Sequence, residues 1–571
     1  MALGLALLPA GCADRPSPSI SPPPAAQLAA ILPFVTPRPA ASGLAADEPS
    51  PPSLERVGAA IGEASIVGLG ESEHGVDDLH RLSHRLFGYL ADKKDFSVYA
   101  LEVDQIHAAL LDDYVHGRRD DLDALLAARH PYAIFYDRAL RDLVVDLRRQ
   151  NLEQGRDLSV AGFDLKQPAL AMDRLMRVLQ RVDPGAAKEA ARLYVPIAEL
   201  GGYGVVANVA GYSGSFELPL SPSIKPRRLE IALAARGSGL TFGSAGLFAE
   251  SRGKEWLNKS IVFRPGDLVN AWQEGRLEIE VPADASALRF VVYHRGNGSL
   301  LFRNLEVRLD GAPLGVPGLE TWKVLPLLYP ATQVMDYRAR IDVEGEAAFA
   351  FRIDADPRLD QALAAARELR RLVDATLEQQ PRALTTGEAA WLRQAGRLIE
   401  QAVHWRTLVE PNRDVLLAEN LAWLHETGYP GRKILALAHA SHSQRVRGRM
   451  GEFLAAEVGS RYATVSMIPL SGSLRDDDGP PTFELRVQEI DRTRSSPLDR
   501  ELAALVPGDF QVDLAAAKAD PAASRWLEEL LAGSRWPPAE LPEMAIYLHG
   551  VQAFKLLGDG RDLVDDETVI P

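Results

Sequence analysis

Short apolar runs that end in an acid or a histidine, each followed by a segment of helical period, recur along this chain. No other feature constrains its fold as much. Ile66-Val67-Gly68-Leu69 runs into Gly70-Glu71-Ser72-Glu73-His74-Gly75. Ser97-Val98-Tyr99-Ala100-Leu101 ends in Glu102, and Leu158-Ser159-Val160-Ala161-Gly162-Phe163 ends in Asp164. Ile434-Leu435-Ala436-Leu437-Ala438 ends in His439-Ala440-Ser441-His442. Between such runs, residues 77–92 carry Leu79, Leu82, Leu86, Phe87 and Leu90 at helical spacing, and 105–115 and 138–150 also read as helices. An apolar run of this length reads as a strand buried on both faces, and strand–helix alternation puts such strands into a parallel sheet covered by helices. The expected fold class is therefore α/β, and its chemistry belongs at the C-terminal edge of the sheet.

The texture changes near Gly201. From there to about 325 the helical period is lost, and short alternating strands appear at 228–234, 277–281, 288–293 and 302–309, punctuated by Gly, Pro, Asn and Asp. This predicts a small antiparallel β-sandwich inserted over 201–325. Its last part, 288–311, resembles the final strands of jelly-roll, carbohydrate-binding-like modules, so a glycan is an expected partner. Trp256, Trp272 and Tyr293 are the contact candidates, with a role in the core as the competing explanation. Helical texture returns at Asp356-Pro357, an N-cap with proline at the first helical position. The segment 357–410 is read as helical, and 326–571 as the second part of the α/β domain that begins at 54. A helix is expected over 412–426 and another over 445–456, with further strands at 462–467 and 544–548.

The chain has 571 residues and a formal net charge of -15, which argues against a nucleic-acid partner. It holds one cysteine, so no disulfide can form within it. That residue, Cys12, closes the apolar stretch 1–12, which resembles the tail of a bacterial lipoprotein signal, although no Lys or Arg precedes it. Residues 13–53 are rich in Pro, Ala and Ser and are expected to be a disordered tether. The expected location is the cell envelope, lipid-anchored through Cys12 or periplasmic, with the cytoplasm as the alternative.

The two histidine segments carry most of the functional signal. Glu71 and His74 lie three apart just past a strand, where one loop can place a carboxylate beside an imidazole and raise its basicity. His439 and His442 repeat that spacing on another strand end. Three imidazoles and a carboxylate at one edge can do acid–base work, or His74, His439 and His442 can hold zinc. Glu102 and Asp164 are further candidates, since they end the second and third strands; a helix N-cap is the plainer use of such acids. Gly211-Tyr212-Ser213-Gly214-Ser215 has the outline of a nucleophile elbow, but its last position is not Gly and it sits in the sandwich texture, so it reads as chance.

Gly68-Leu69-Gly70-Glu71-Ser72-Glu73-His74-Gly75 is similar to the Gly-Glu-x-x-His-Gly signature of the erythromycin esterase family. Asn412-Arg413-Asp414 with Ala418-Glu419-Asn420 resembles that family's helix motif, and Ala438-His439-Ala440-Ser441-His442 resembles its His-x-x-His segment. The resemblance covers 60–200 and 330–560. It implies an EreA/ChaN-like α/β core and hydrolysis of an ester or lactone of a small molecule by activated water, with no serine nucleophile and no required cofactor. It implies His74 as general base, Glu71 and Glu102 as its supports, and His439 and His442 as groups that line the pocket and stabilise the oxyanion. Arg81, Arg85, Asp164, Arg413 and Asp414 become substrate-binding candidates. Two positions depart from the pattern: Ser83 stands where the family has an arginine, flanked by Arg81 and Arg85, and Ala440 stands where it has Asn. Two other functions compete: an envelope lipoprotein that binds glycan through the sandwich without catalysis, and a zinc-dependent hydrolase.

Overall fold

The computed structural model describes residues 30–37, 52–127, 137–165, 168–198, 211–221, 223–238, 243–252, 257–263, 272–296, 298–315, 323–326, 338–343, 349–354, 357–380, 382–407, 413–477, 485–490, 496–506, 508–531 and 540–553. Cys12, Trp256, Asn412 and the side chain of Tyr293 lie outside the described residues.

The six predicted strands and two that were not expected assemble into one eight-stranded sheet in the order Val35–Pro37, Phe510–Asp513, Met544–Leu548, Tyr462–Pro469, Ile66–Glu71, Lys433–His439, Phe96–Asp104 and Ser159–Asp164. The last six are mutually parallel; at one edge Phe510–Asp513 runs antiparallel to them, and Val35–Pro37 pairs antiparallel with it. Ile66–Glu71 is central. Lys433–His439 lies on one side of it with His439 in register with Glu71, and Tyr462–Pro469 lies on the other. Segments more than 360 residues apart in sequence therefore end side by side.

Alternate strand residues feed two separate cores, as a sheet covered on both faces requires. Val67, Leu69, Leu435, Leu437, Tyr99 and Leu101 pack with the helices Asp77–Lys93, Gln105–Val115 and Arg138–Gln154. Ile66, Ala436, Ala438, Val98 and Ala100 pack on the other face with Pro168–Val182, Pro184–Ala198, Pro357–Gln379, Thr386–Thr407 and Arg413–Trp423. Among the described residues no helix is long and apolar enough to cross a membrane.

Three expectations need correction. Part of the stretch read as tether is folded: Ile31 is fully buried and Val35–Pro37 pairs with Phe510–Asp513, because Ile31-Leu32-Pro33-Phe34-Val35 supplies apolar surface that the flanking sequence lacks. The sandwich does not end at 325. Arg338–Val343 and Phe349–Asp354 join the sheet of Gly298–Leu309, so it runs to Asp354, and the α/β domain resumes at the expected helix start, Pro357, rather than at 326. The helix expected over 445–456 starts only at Met450 and runs to Val458, with Gly448 in the left-handed region (φ 76°) between it and the short helix Ala440–Ser443.

The sandwich has two antiparallel sheets around a core of Leu229, Ile231, Leu247, Phe263, Ile279, Phe290 and Val307. Gly211 to Ser215 lie within the strand Gly211–Pro219, with no strand-to-helix turn for a nucleophile elbow. Trp272 lies with the guanidinium of Arg236 over its ring, 5.1 Å from the centroid.

Candidate active site

The central strand can end in chemistry because its last residues are small. A Cβ at Gly70 would lie 2.5 Å from Ser443 Oγ and 2.8 Å from Ala440 Cα, so the short helix Ala440–Ser443 crosses the strand only over glycine. This close crossing brings His439 and His442 over the end of the Glu71 strand. Gly75 then turns the chain at φ 78°, with Arg475 O only 1.8 Å from where a Cβ would sit. The chain can pass the Ser473–Asp477 hairpin only with no side chain there, and His74 is left on the turn between strand and helix.

Glu71 is fully buried and accepts from His74 Nδ1 at 2.6 Å. Its other oxygen lies 3.2 Å from His80 Nε2. Burial alone would raise this carboxyl. The charge of His80 at ion-pair distance and the hydrogen bond from His74 prevail and bring it down to about 2, so Glu71 is a carboxylate at any working pH. The His74 side chain is 26% exposed, against 14% for His442.

The His74 ring is 4.8 Å from that of His439, tilted at 54°. His439 differs in its wiring. Its Nδ1 accepts from the Ser441 backbone N–H at 3.1 Å and lies 2.8 Å from Ser441 Oγ, so a neutral ring carries its proton on Nε2. Burial, with His74 and His442 as like-charged neighbours, pushes His439 down to about 3 and keeps it neutral. His442 sits 6.5 Å further on and bonds through Nδ1 to Asp414 Oδ1 at 2.6 Å. Asp414 is held below its ordinary value: burial opposes this, but His442, Arg449 and the Met450 N–H outweigh it.

A third group of charges meets at the neighbouring strand ends. Arg413 Nη2 donates to Glu102 Oε1 and to Asp164 Oδ2, both at 2.7 Å, and its Nε donates to Asp164 Oδ1 at 3.2 Å. Glu102 and Asp164 are 3% and 0% exposed, so the guanidinium compensates two buried carboxylates. Burial raises Asp164 despite Arg413. Glu102 Oε2 also accepts from the His439 backbone N–H at 3.1 Å, which ties this group to the histidine strand. Arg413 Nη1 lies 3.4 Å from His442 Nε2.

The structure therefore brings Glu71, His74, Glu102, Asp164, Arg413, Asp414, His439 and His442 to one sheet edge. It does not bring Arg81 there: Arg81 is 46% exposed and pairs with Asp77 at 2.5 Å, one helical turn away on its own helix. Arg85 is half-buried, and its terminal nitrogens have no hydrogen-bond partner among the described residues. Ser83 is fully buried against Tyr99 Oη (2.6 Å) and the His80 carbonyl (2.7 Å). Among the described residues, no group of three or more His, Cys, Asp or Glu is placed to hold a metal ion. Sequence reasoning missed His80, Asp137 and Arg449. His80 did leave a signal, a polar residue beside Leu79 and Leu82 on the apolar side of its helix; Asp137 showed only as an acid ahead of a helix.

Fold and site define a class: a three-layer α/β protein with buried carboxylate–imidazole pairs at the C-terminal edge of its sheet. The chain belongs to the erythromycin esterase family, whose pattern matches residues 91–218 and 331–547. The gap between the two matched parts falls within the sandwich, and Glu71 and His74 precede the first. Three solved structures share the fold. A Bacillus cereus protein is 14% identical, covers 93% of this chain and 99% of its own, and has a TM-score of 0.55. A succinoglycan biosynthesis protein is 12% identical, covers 93% and 98%, and has a TM-score of 0.53. A mutant of the erythromycin esterase EreC in its open conformation is 12% identical, covers 90% and 97%, and has a TM-score of 0.52. Family and fold together support a hydrolase-like function.

Proposed function

We infer that this protein hydrolyses an ester or lactone bond of a small molecule, with water activated by His74. One observation carries the reading: two neighbouring imidazoles are wired for opposite roles. His74 Nδ1–H donates to the Glu71 carboxylate at 2.6 Å, which leaves Nε2 able to take a proton. His439 accepts at Nδ1, which leaves Nε2–H able to donate. A water between His74 Nε2 and a bound carbonyl carbon would lose its proton to His74 as the C–O bond forms. The carbonyl oxygen would accept from His439 Nε2–H as it gains charge. Collapse of the tetrahedral intermediate expels the alcohol, and His74 returns the proton to the leaving oxygen. His442, oriented by Asp414, and Arg413 sit beside this pair and would contact the remainder of the substrate. In this mechanism a positioned base contributes on the order of 10²–10⁴-fold and an oxyanion donor on the order of 10²–10³-fold.

Mass spectrometry of erythromycin and simple aryl esters incubated with the wild type and with His74→Ala tests the reading. The expected result is a product heavier than substrate by one water, or its two cleavage fragments, with wild type alone. Equal turnover by His74→Ala would remove His74 from the chemistry, and no turnover of any ester by wild type would remove the reading.

A further inference from the structure

His80 and Asp137 are among the buried titratable groups that the mechanism above leaves without a role. His80 is 3% exposed and Asp137 0%. Together with the site they form one line from solvent into the core. His74 Nδ1 meets Glu71 Oε1 at 2.6 Å, Glu71 Oε2 lies 3.2 Å from His80 Nε2, and His80 Nδ1 meets Asp137 Oδ2 at 2.6 Å. The inner end of the line is anchored. Asp137 is the N-cap of Arg138–Gln154, and its second oxygen accepts from Leu140 N–H at 2.8 Å. The His80 turn is also anchored, because Ser83 Oγ joins the His80 carbonyl to Tyr99 Oη.

We propose that His80, fixed by Asp137, is a positioning residue for the base: as a buried imidazolium it occupies Glu71 Oε2, so that Glu71 presents Oε1 to His74 and remains a carboxylate. This rests on the assignment of His74 as base. The physical argument is charge balance. Glu71 and Asp137 are two buried carboxylates on opposite sides of one ring, and a neutral ring would leave both uncompensated. With His80 protonated, each carboxylate has a cationic partner at hydrogen-bond or ion-pair distance, and His80 is accordingly held well above the ordinary imidazole value against the opposing effect of burial. The other groups around the line do not compete for this role. His84, one turn along the same helix, is driven down to about 3 by burial and is neutral. Arg81 is turned to Asp77, Tyr99 is held in its phenol form by burial, and His439 lies on the far side of His74.

The arrangement has a consequence for the base. A carboxylate shared with a second cation raises the basicity of His74 less than an unshared one would. His80 thereby keeps His74 available in its deprotonated form.

Titration by NMR of the full-length protein labelled at histidine Cε1 tests this, with the His74 signal assigned from His74→Ala. In His80→Gln the titration midpoint of His74 is expected to rise by about one pH unit. The acid limb of the hydrolysis profile should rise with it. In Asp137→Asn, which keeps a good N-cap acceptor, His80 is expected to begin titrating between about pH 5 and 8. A His74 midpoint unmoved in folded His80→Gln would overturn the proposal. Should that variant not fold, Asp137→Asn decides alone: a His80 signal that stays without titration in that range, as in wild type, overturns it. The titration needs no substrate, so absence of turnover would break the hydrolase reading while leaving this inference to its own result.

Discussion

The sheet edge and the inserted sandwich treat charge in opposite ways. At the edge, Glu71, Glu102, Asp137, Asp164 and Asp414 are buried, and each bonds to an imidazole or guanidinium. In the sandwich, the one buried polar residue among those described is Ser251, and the ion pairs Arg227–Asp310 and Arg228–Glu278 lie at the surface. Both regions have well-formed apolar cores. What separates them is that the edge keeps ionised groups out of water, an arrangement that stability alone does not favour and that a reaction requires. The contrast yields experiments of decreasing effect.

Replacing the base should have the largest effect on turnover and little on folding. His74→Ala is expected to lower kcat/KM on a hydrolysed ester by roughly 10²–10⁴-fold while the urea midpoint stays near wild type, because His74 is partly exposed. Removing the shared cation should act strongly on folding as well. Arg413→Met leaves Glu102 and Asp164 buried without their guanidinium, and equilibrium unfolding should show a loss of about 3–5 kcal/mol. A loss below about 1 kcal/mol would mean that water compensates these carboxylates, and the contrast with the sandwich would narrow.

Packing at the sheet end is the next level. A Cβ at Gly68 would lie 2.2 Å from Tyr462 Oη, and that hydroxyl donates to the Ser443 carbonyl of the turn carrying the histidines. Gly68→Ala should therefore destabilise by about 1–3 kcal/mol in denaturant titration and disturb the site through that turn.

Below this comes the pH dependence set by His439. Its value is about 3 in the folded protein against an ordinary 6.5, so as pH falls below 6.5 the unfolded chain takes up the proton first. Stability is fully present above about 6.5 and declines from there toward 3. His84 and His107, driven down to about 3 and about 4 by burial, act in the same direction. His439→Gln should remove one share, making the loss of stability between pH 7 and pH 5 smaller by up to roughly 2 kcal/mol. An equal loss in wild type and variant would show that the ring is hydrated in solution. At the small end, Arg228→Ala in the sandwich should leave the thermal midpoint within measurement error, since both members of its pair are exposed.

Much of the fold was legible because its signals are local. The Ile66, Ser97, Leu158 and Ile434 runs are apolar for reasons that hold wherever they lie, and each became a strand of the parallel sheet. The helix at 77–92 matched Asp77–Lys93 because one period dominates it. Where a boundary depended on a partner, the expectation slipped. Arg338–Val343 and Phe349–Asp354 are strands through pairing with each other and with Gly298–Leu309, and Val35–Pro37 through pairing with Phe510–Asp513. The site divides in the same way. Glu71 and His74 are three residues apart, and their bond was anticipated from spacing. The His442–Asp414 bond spans 28 residues and the Arg413–Glu102 bond spans 311, and no periodicity encodes either.

By itself, then, the sequence determined the central strands and the main helices of the α/β core, and which acids and imidazoles stand where those strands end, because apolar periodicity and turn residues act over a few positions. The tertiary structure alone decided the rest. It inserted Lys433–His439 between Ile66–Glu71 and Phe96–Asp104, turned Arg81 to solvent, and set His80 between two carboxylates. Those outcomes depend on which distant segments share a sheet and how deeply each charge is buried, and burial is a property of the assembled protein.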